Sequence, residues 1–164
     1  MTGCSAPSTE TTQAGGSPPA GLLHQIGHRF ARPALLDEAL THPSTLSASR
    51  RGRRLSAGRG YERLEFLGDR VLGLVVAELL WHRFANEPEG LLTRRFAQLV
   101  RRETLARVAT TIGLGPYLVL SPAEAAAGAA RNPSILANAL EAVIAAIYLD
   151  GGLASAVTLS LIHI

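Results

Sequence analysis

The chain has 164 residues, 47% of them hydrophobic and only 5% aromatic, with a formal charge of +3. That length supports one domain with a real core, and an apolar fraction supplied mainly by Ala, Leu, Val and Ile favours helices over a β-sandwich. Cys4 is the single cysteine, which excludes an internal disulfide and a thiolate zinc cluster and fits a reducing, cytoplasmic setting.

All 16 basic residues are arginines. Guanidinium groups fork onto phosphate, so the balance permits a nucleic-acid partner, but a GC-rich coding sequence explains the same bias equally well. No basic region followed by an apolar stretch opens the chain, so no secretory signal is expected. The longest apolar runs, residues 71–81 and 135–149, are interrupted by Glu78 and Glu141 and are short for a bilayer. They read as buried helices, and no membrane association is expected.

In chain order, residues 1–20 are rich in Ser, Thr, Gly and Pro and are expected to form a disordered tail. Leu22, Leu23, Ile26 and Phe30 then recur at helical spacing, and Pro33 can start a second short helix ending at Leu40. Residues 43–60 break the pattern. Arg50, Arg51, Arg53, Arg54 and Arg59 crowd a stretch with no acid, which reads as a basic surface loop.

Residues 61–84 carry the broad apolar stripe of a long helix. A second long helix is expected over residues 91–112, capped by Gly113, and a short one near residues 122–127. Residues 134–150 make a third long helix, which Gly151 and Gly152 should stop. With no strand-period segment of any length, the fold class is all-α. The last six residues, 159–164, resemble an in-frame translation of a transposon end used in sequencing libraries. They are expected to be a non-native tail.

Glu62, Glu65 and Asp69 are spaced i, i+3 and i+7, which puts three carboxylates on one helix face. Like charges at these spacings oppose the helix, and positions 66 and 73 offer no basic partner. Such a cluster suits a hard divalent cation such as Mg²⁺; the alternative is a solvated acidic face. Glu141 sits in the middle of a very apolar helix, where a carboxylate is costly unless it is paired or metal-bound. Asn138 lies one turn earlier on the same face. Facing helices would thus join Glu65, Asp69, Asn138 and Glu141 in one four-oxygen site; alternatively Glu141 pairs with Arg63 or Arg70.

The octad Glu62-Arg63-Leu64-Glu65-Phe66-Leu67-Gly68-Asp69 resembles the signature of the ribonuclease III family. The match continues through Pro88-Glu89-Gly90, Glu103-Thr104-Leu105, Gly113-Leu114-Gly115, Pro133-Ser134-Ile135-Leu136-Ala137, Glu141-Ala142 and Tyr148-Leu149-Asp150-Gly151-Gly152, and the run Ala39-Leu40-Thr41-His42 also fits. It covers residues 21–158, a nuclease domain without the family's C-terminal domain for binding double-stranded RNA.

The resemblance implies a helical, dimer-forming ribonuclease III endonuclease domain that cuts double-stranded RNA. It implies Mg²⁺ as cofactor, with Mn²⁺ as a substitute, 5′-phosphate and 3′-hydroxyl products, and a role in rRNA and mRNA processing. By position, Glu65, Asp69, Asn138 and Glu141 resemble the metal ligands, with Asp69, Glu141 and Glu62 in catalytic roles. Glu89 resembles a secondary acid of the RNA-binding valley, and Phe66 the residue that inserts into the partner subunit of a homodimer. The main departure is Asn138, where the family has aspartate: the site is one negative charge short, and weaker Mg²⁺ binding is expected. A catalytically silent RNA-binding scaffold of the same fold is the alternative.

Overall fold

The computed structural model describes residues 20–48 and 60–163, which fold into eight α-helices with no strand among them; Thr41 and Val119 form an isolated parallel bridge. The first three helices are short: α1 (Ala20–Ile26), α2 (Pro33–Leu40) and α3 (Ser44–Ala48). Then come α4 (Glu62–Arg83), α5 (Glu89–Leu99), α6 (Arg102–Thr111), α7 (Pro122–Ala126) and α8 (Pro133–His163). The expected N-terminal tail up to residue 19 and the arginines of the basic loop lie outside the described residues.

Helix α8 is the axis of the bundle, packing against α4, α6 and α2. Its central residues, from Ala142 to Ile147, are all buried. By length and composition alone α8 is apolar enough over Pro133–Leu159 to cross a bilayer. Its flanking helices explain that apolarity, because a core helix covered on several sides is hydrophobic nearly all round. Helix α4 contributes Leu64, Val71, Leu72, Val75, Val76 and Leu80 to the same core. Its first turn carries Glu62 and Glu65 and its last His82 and Arg83, the charge order that the helix dipole favours.

The structure departs from the expected elements in two places. Within residues 43–60, expected as an irregular loop, Ser44–Ala48 form the helix α3. The helix anticipated over residues 91–112 is two helices, separated at Val100 and Arg101, where Arg101 is extended (φ −69°, ψ 150°). Helix α5 lies against α4, whereas α6 turns Leu105, Val108 and Ala109 towards α8. One straight rod cannot serve both partners. Thr104, buried at this corner, donates its hydroxyl to the Gln98 carbonyl at 2.9 Å and stitches the break.

The stop expected at Gly151-Gly152 is present as a break: Gly152 leaves helical geometry (φ 78°, ψ −177°), and two helical segments of α8 meet there. The helix resumes to His163 and buries Ala156 and Leu159, so part of the segment expected to be foreign continues the helix. Likewise, Gly27 ends α1 before Phe30, although Phe30 still reaches the core.

Candidate metal centre

Around the acidic cluster, the backbones of α4 and α8 come close where the two helices cross at Gly68 and Glu141. A Cβ placed on Gly68 would lie 1.8 Å from the Glu141 carbonyl oxygen, so only glycine fits there. Alanines at 139, 142, 145 and 146 are fully buried on α8 and keep that helix slender. The crossing thereby places the octad of α4 directly against Glu141.

At this crossing Glu65 and Glu141 come within each other's field. Burial, then the charge of Glu65, pushes the Glu141 carboxyl up to about 7; Arg102 and Arg70 pull against that rise. Glu65 is itself raised, by burial and by Glu62. Among the described residues no hydrogen bond reaches the Glu141 carboxylate. This is the pattern of two acids confined in one place without enough compensating charge, which marks candidate functional sites more often than structural ones.

The remaining candidates are distributed around this pair. Asn138 is half-buried one turn before Glu141, and Glu62 is exposed at the start of α4. Asp69 pairs with its neighbour Arg70. That corrects the expectation that the acidic face has no partner on its own helix, since i, i+1 side chains diverge and the pairing depends on the reach of a long guanidinium. As the side chains stand, no group of three acidic or imidazole residues among the described residues is arranged to hold a metal ion.

Of the two arginines proposed to neutralise Glu141, Arg70 does act on it, whereas Arg63 is exposed beside Phe66. Arg102, from the start of α6, was not anticipated. Glu89 is exposed at the start of α5 and accepts a hydrogen bond from Thr93 at 2.8 Å; no described contact joins it to Glu65 or Glu141.

Two further groups belong to this neighbourhood. Tyr61, 3% exposed, has its phenol pushed up to about 12 by burial and by Glu65, Glu62 and Glu124. It therefore stays protonated beside the acids, with His42 edge-on to its ring at 5.6 Å. Glu124 on α7 is thus a further acid near the start of α4; its local sequence, Ser121-Pro122-Ala123-Glu124, marks it only as part of a helix N-cap. Phe66 is 66% exposed on the flank of α4 and borders an open groove of about 670 Å³ with Leu35, Arg63, Leu67 and Leu149.

The donor chemistry suits a hard cation. Two partly buried carboxylates from facing helices resist being charged together, with a third carboxylate beside the crossing and an amide one turn away. Oxygen donors of this kind are what Mg²⁺ takes.

The family model described as Ribonuclease-III-like matches residues 32–164. The chain is 50% identical over 133 residues to Ribonuclease 3 of Azorhizobium caulinodans, covering 81% of this chain and 54% of that protein. It is 47% identical over 137 residues to Ribonuclease 3 of Bradyrhizobium diazoefficiens, covering 84% and 53%. The chain thus spans about half the length of these relatives. Two solved structures of the nuclease domain of ribonuclease III from Campylobacter jejuni superpose with TM-scores of 0.77 and 0.75 at 40% identity, covering 87% and 86% of this chain and 92% and 89% of those. The first is described as showing structural flexibility in a region involved in dimer formation. With the octad, the helical fold and these matches in agreement, the chain belongs to the ribonuclease-III-like family.

Proposed function

We propose that this chain is the nuclease domain of a Mg²⁺-dependent endoribonuclease that cuts double-stranded RNA to 5′-phosphate and 3′-hydroxyl ends. The observation that carries this reading is the meeting of Glu65 and Glu141 at the Gly68 crossing, within a chain of this family. Glu65, Asp69, Asn138 and Glu141 would hold the cation, with Mn²⁺ as a substitute. A bound divalent ion supplies Lewis-acid polarisation of the scissile phosphate and a nucleophilic water at neutral pH.

The chain's own groups set the conditions for that chemistry. Glu65 and Glu141 supply negative potential inside a partly dry cleft, and Glu62 extends it to the surface. Tyr61 remains a neutral phenol next to them, neither adding charge nor competing as an anion. Duplex RNA would be gripped through backbone and 2′-hydroxyl groups rather than base edges, which suits a surface whose only cationic side chains at neutral pH are arginines. The exposed Phe66 beside an apolar groove supports a homodimer in which each Phe66 enters its partner. The role we assign is cytoplasmic processing of rRNA and mRNA.

Asn138 favours one second reading, a dimeric RNA-binding scaffold without activity. The test is to incubate the purified chain with a long RNA duplex, in Mg²⁺ and in chelator, alongside Asp69→Asn. Cleavage is expected only in Mg²⁺ and only by the parent chain. Duplex binding without cleavage at any Mg²⁺ concentration would establish the scaffold instead.

A further inference from the structure

Among the described residues, Arg70 is the cationic side chain that pairs with an acid of the candidate centre and also acts on Glu141. Its guanidinium is ion-paired with Asp69 on its own helix and acts electrostatically on Glu141 across the crossing. The guanidinium carbon also lies 5.2 Å from the centroid of the Phe66 ring, one turn back along α4, within cation–π range. The side chains of Arg70 and Asp69 are 65% and 48% exposed, so the pair is wet and readily exchanged. Arg102 acts on Glu141 alone among these groups.

A positive charge facing acids of both helices occupies the electrostatic place of a cation. We propose that Arg70 is a displaceable counter-ion of the metal centre: its guanidinium holds the Asp69 carboxylate in the metal-free chain, and a divalent cation takes that carboxylate over and releases the guanidinium to solvent. This rests on reading Glu65, Asp69, Asn138 and Glu141 as the metal ligands. The arrangement lets three acids share one face of α4 before any cation arrives. Its consequence is a weaker apparent affinity, since every cation that binds must break the pair and tolerate a nearby positive charge. Arg70 and the neutral Asn138 thus act in the same direction, both making the centre less negative.

The experiment is a Mn²⁺ titration of the whole chain, with free Mn²⁺ followed by electron paramagnetic resonance and no RNA present. The parent is compared with Arg70→Gln and with Arg83→Gln, which removes the same charge from the far end of α4. An exposed ion pair of this kind corresponds to a roughly two- to fivefold change in binding. Arg70→Gln is therefore expected to bind Mn²⁺ about two- to fivefold more tightly, with the gain shrinking as NaCl is raised. Arg83→Gln should match the parent. Arg70→Lys, which keeps the charge but loses the planar fork, should fall in between.

Saturable binding that Arg70→Gln leaves unchanged or weakens overturns the displacement while leaving the ligand assignment standing. An equal gain in Arg83→Gln also overturns it, because net charge alone would then be responsible. Absence of saturable binding in every variant overturns it together with the metal reading beneath it. Thermal melting of each variant in chelator checks that it is folded.

Discussion

Glu141 and Asp150 are carboxylates of the same helix, nine residues or two and a half turns apart, and so face opposite sides of α8. Asp150, its side chain 2% exposed, is fully answered. His28 lies 2.9 Å from one of its oxygens, the backbone N–H of Ala31 donates to that same oxygen at 2.9 Å, and the N–H of Arg32 donates to the other, also at 2.9 Å. Burial pushes its carboxyl upward, but these donors outweigh burial and hold it below the ordinary value. Among the described residues Glu141 receives no such donor, and burial with Glu65 pushes it to about 7. One carboxylate ties the loop after α1 to the bundle. The other has its demand unmet within the chain. Two acids on one helix are told apart by the donors they receive.

The largest expected effect comes from Gly68→Ala, which should abolish the Glu141 side of this contrast while leaving Asp150 with its partners. The added Cβ would sit 1.8 Å from the Glu141 carbonyl, so the two helices must separate. Overpacking at a backbone contact costs about 3 kcal/mol or more. In a chain of this size that lowers the melting temperature by roughly 6–12 °C, and Mg²⁺-dependent cleavage should be lost with it. A melting temperature within a degree of the parent would mean that the crossing is not tight.

Glu141→Gln comes next and should separate function from stability. The folded-state carboxyl is raised, so ionising it disfavours the fold. That cost is absent below the ordinary carboxyl range near 4.5, grows as the pH rises towards 7, and is complete above it. The variant should therefore abolish cleavage yet melt higher than the metal-free parent at pH 8, by about 1–3 kcal/mol of added stability, and match it near pH 4. Lower stability at pH 8 would show that Glu141 is satisfied after all.

Asp150→Asn should do the opposite. A depressed folded-state value means that the stabilisation is present above the ordinary range near 3.8 and is lost as the pH falls through the folded value. The expected loss is about 1–2 kcal/mol at pH 7, fading on acidification, with Mn²⁺ affinity unchanged. Melting curves across pH 3–8 for the two variants should thus diverge in opposite directions from the parent.

Much of this was legible in the residues. Helical spacing placed α2, α4 and α7 nearly to the residue, and the expectation that the octad's helix faces Glu141 matches the crossing at which Glu65 and Glu141 interact. What stayed hidden is tertiary. Nothing local announces that α5 and α6 must part at Val100 and Arg101, where no Gly or Pro stands and each half answers to a different neighbour. The break at Gly152 was legible, but not that a second helical segment follows it, because that segment needs a core beyond the break, here Ala156 and Leu159. His28 and Asp150 are 122 residues apart, and no local rule connects them. Gly68 was read as a letter of a motif, whereas its absent side chain is what lets the centre form.

The smallest expected effect concerns the charge that α8 lacks. Asn138 presents a neutral amide, so the α8 half of the proposed centre has one carboxylate, Glu141, while α4 has Glu62, Glu65 and Asp69. Asn138→Asp adds a second charge to α8. Two outcomes compete. The new carboxylate attracts Mg²⁺, but without metal it also adds to the crowding that already raises Glu141. Both effects deepen the contrast with Asp150, and both are read in one experiment. The Mg²⁺ concentration for half-maximal cleavage should fall several-fold, and metal-free stability at pH 8 should fall by a few tenths of a kcal/mol to about 1, as expected for like charges brought together at partial exposure. Added Mg²⁺ should then restore more stability to the variant than to the parent, because the ligand acts on the folded state alone. If the cleavage titrations of the two chains superpose, position 138 is not a ligand, and the asymmetry between the helices has no bearing on the metal.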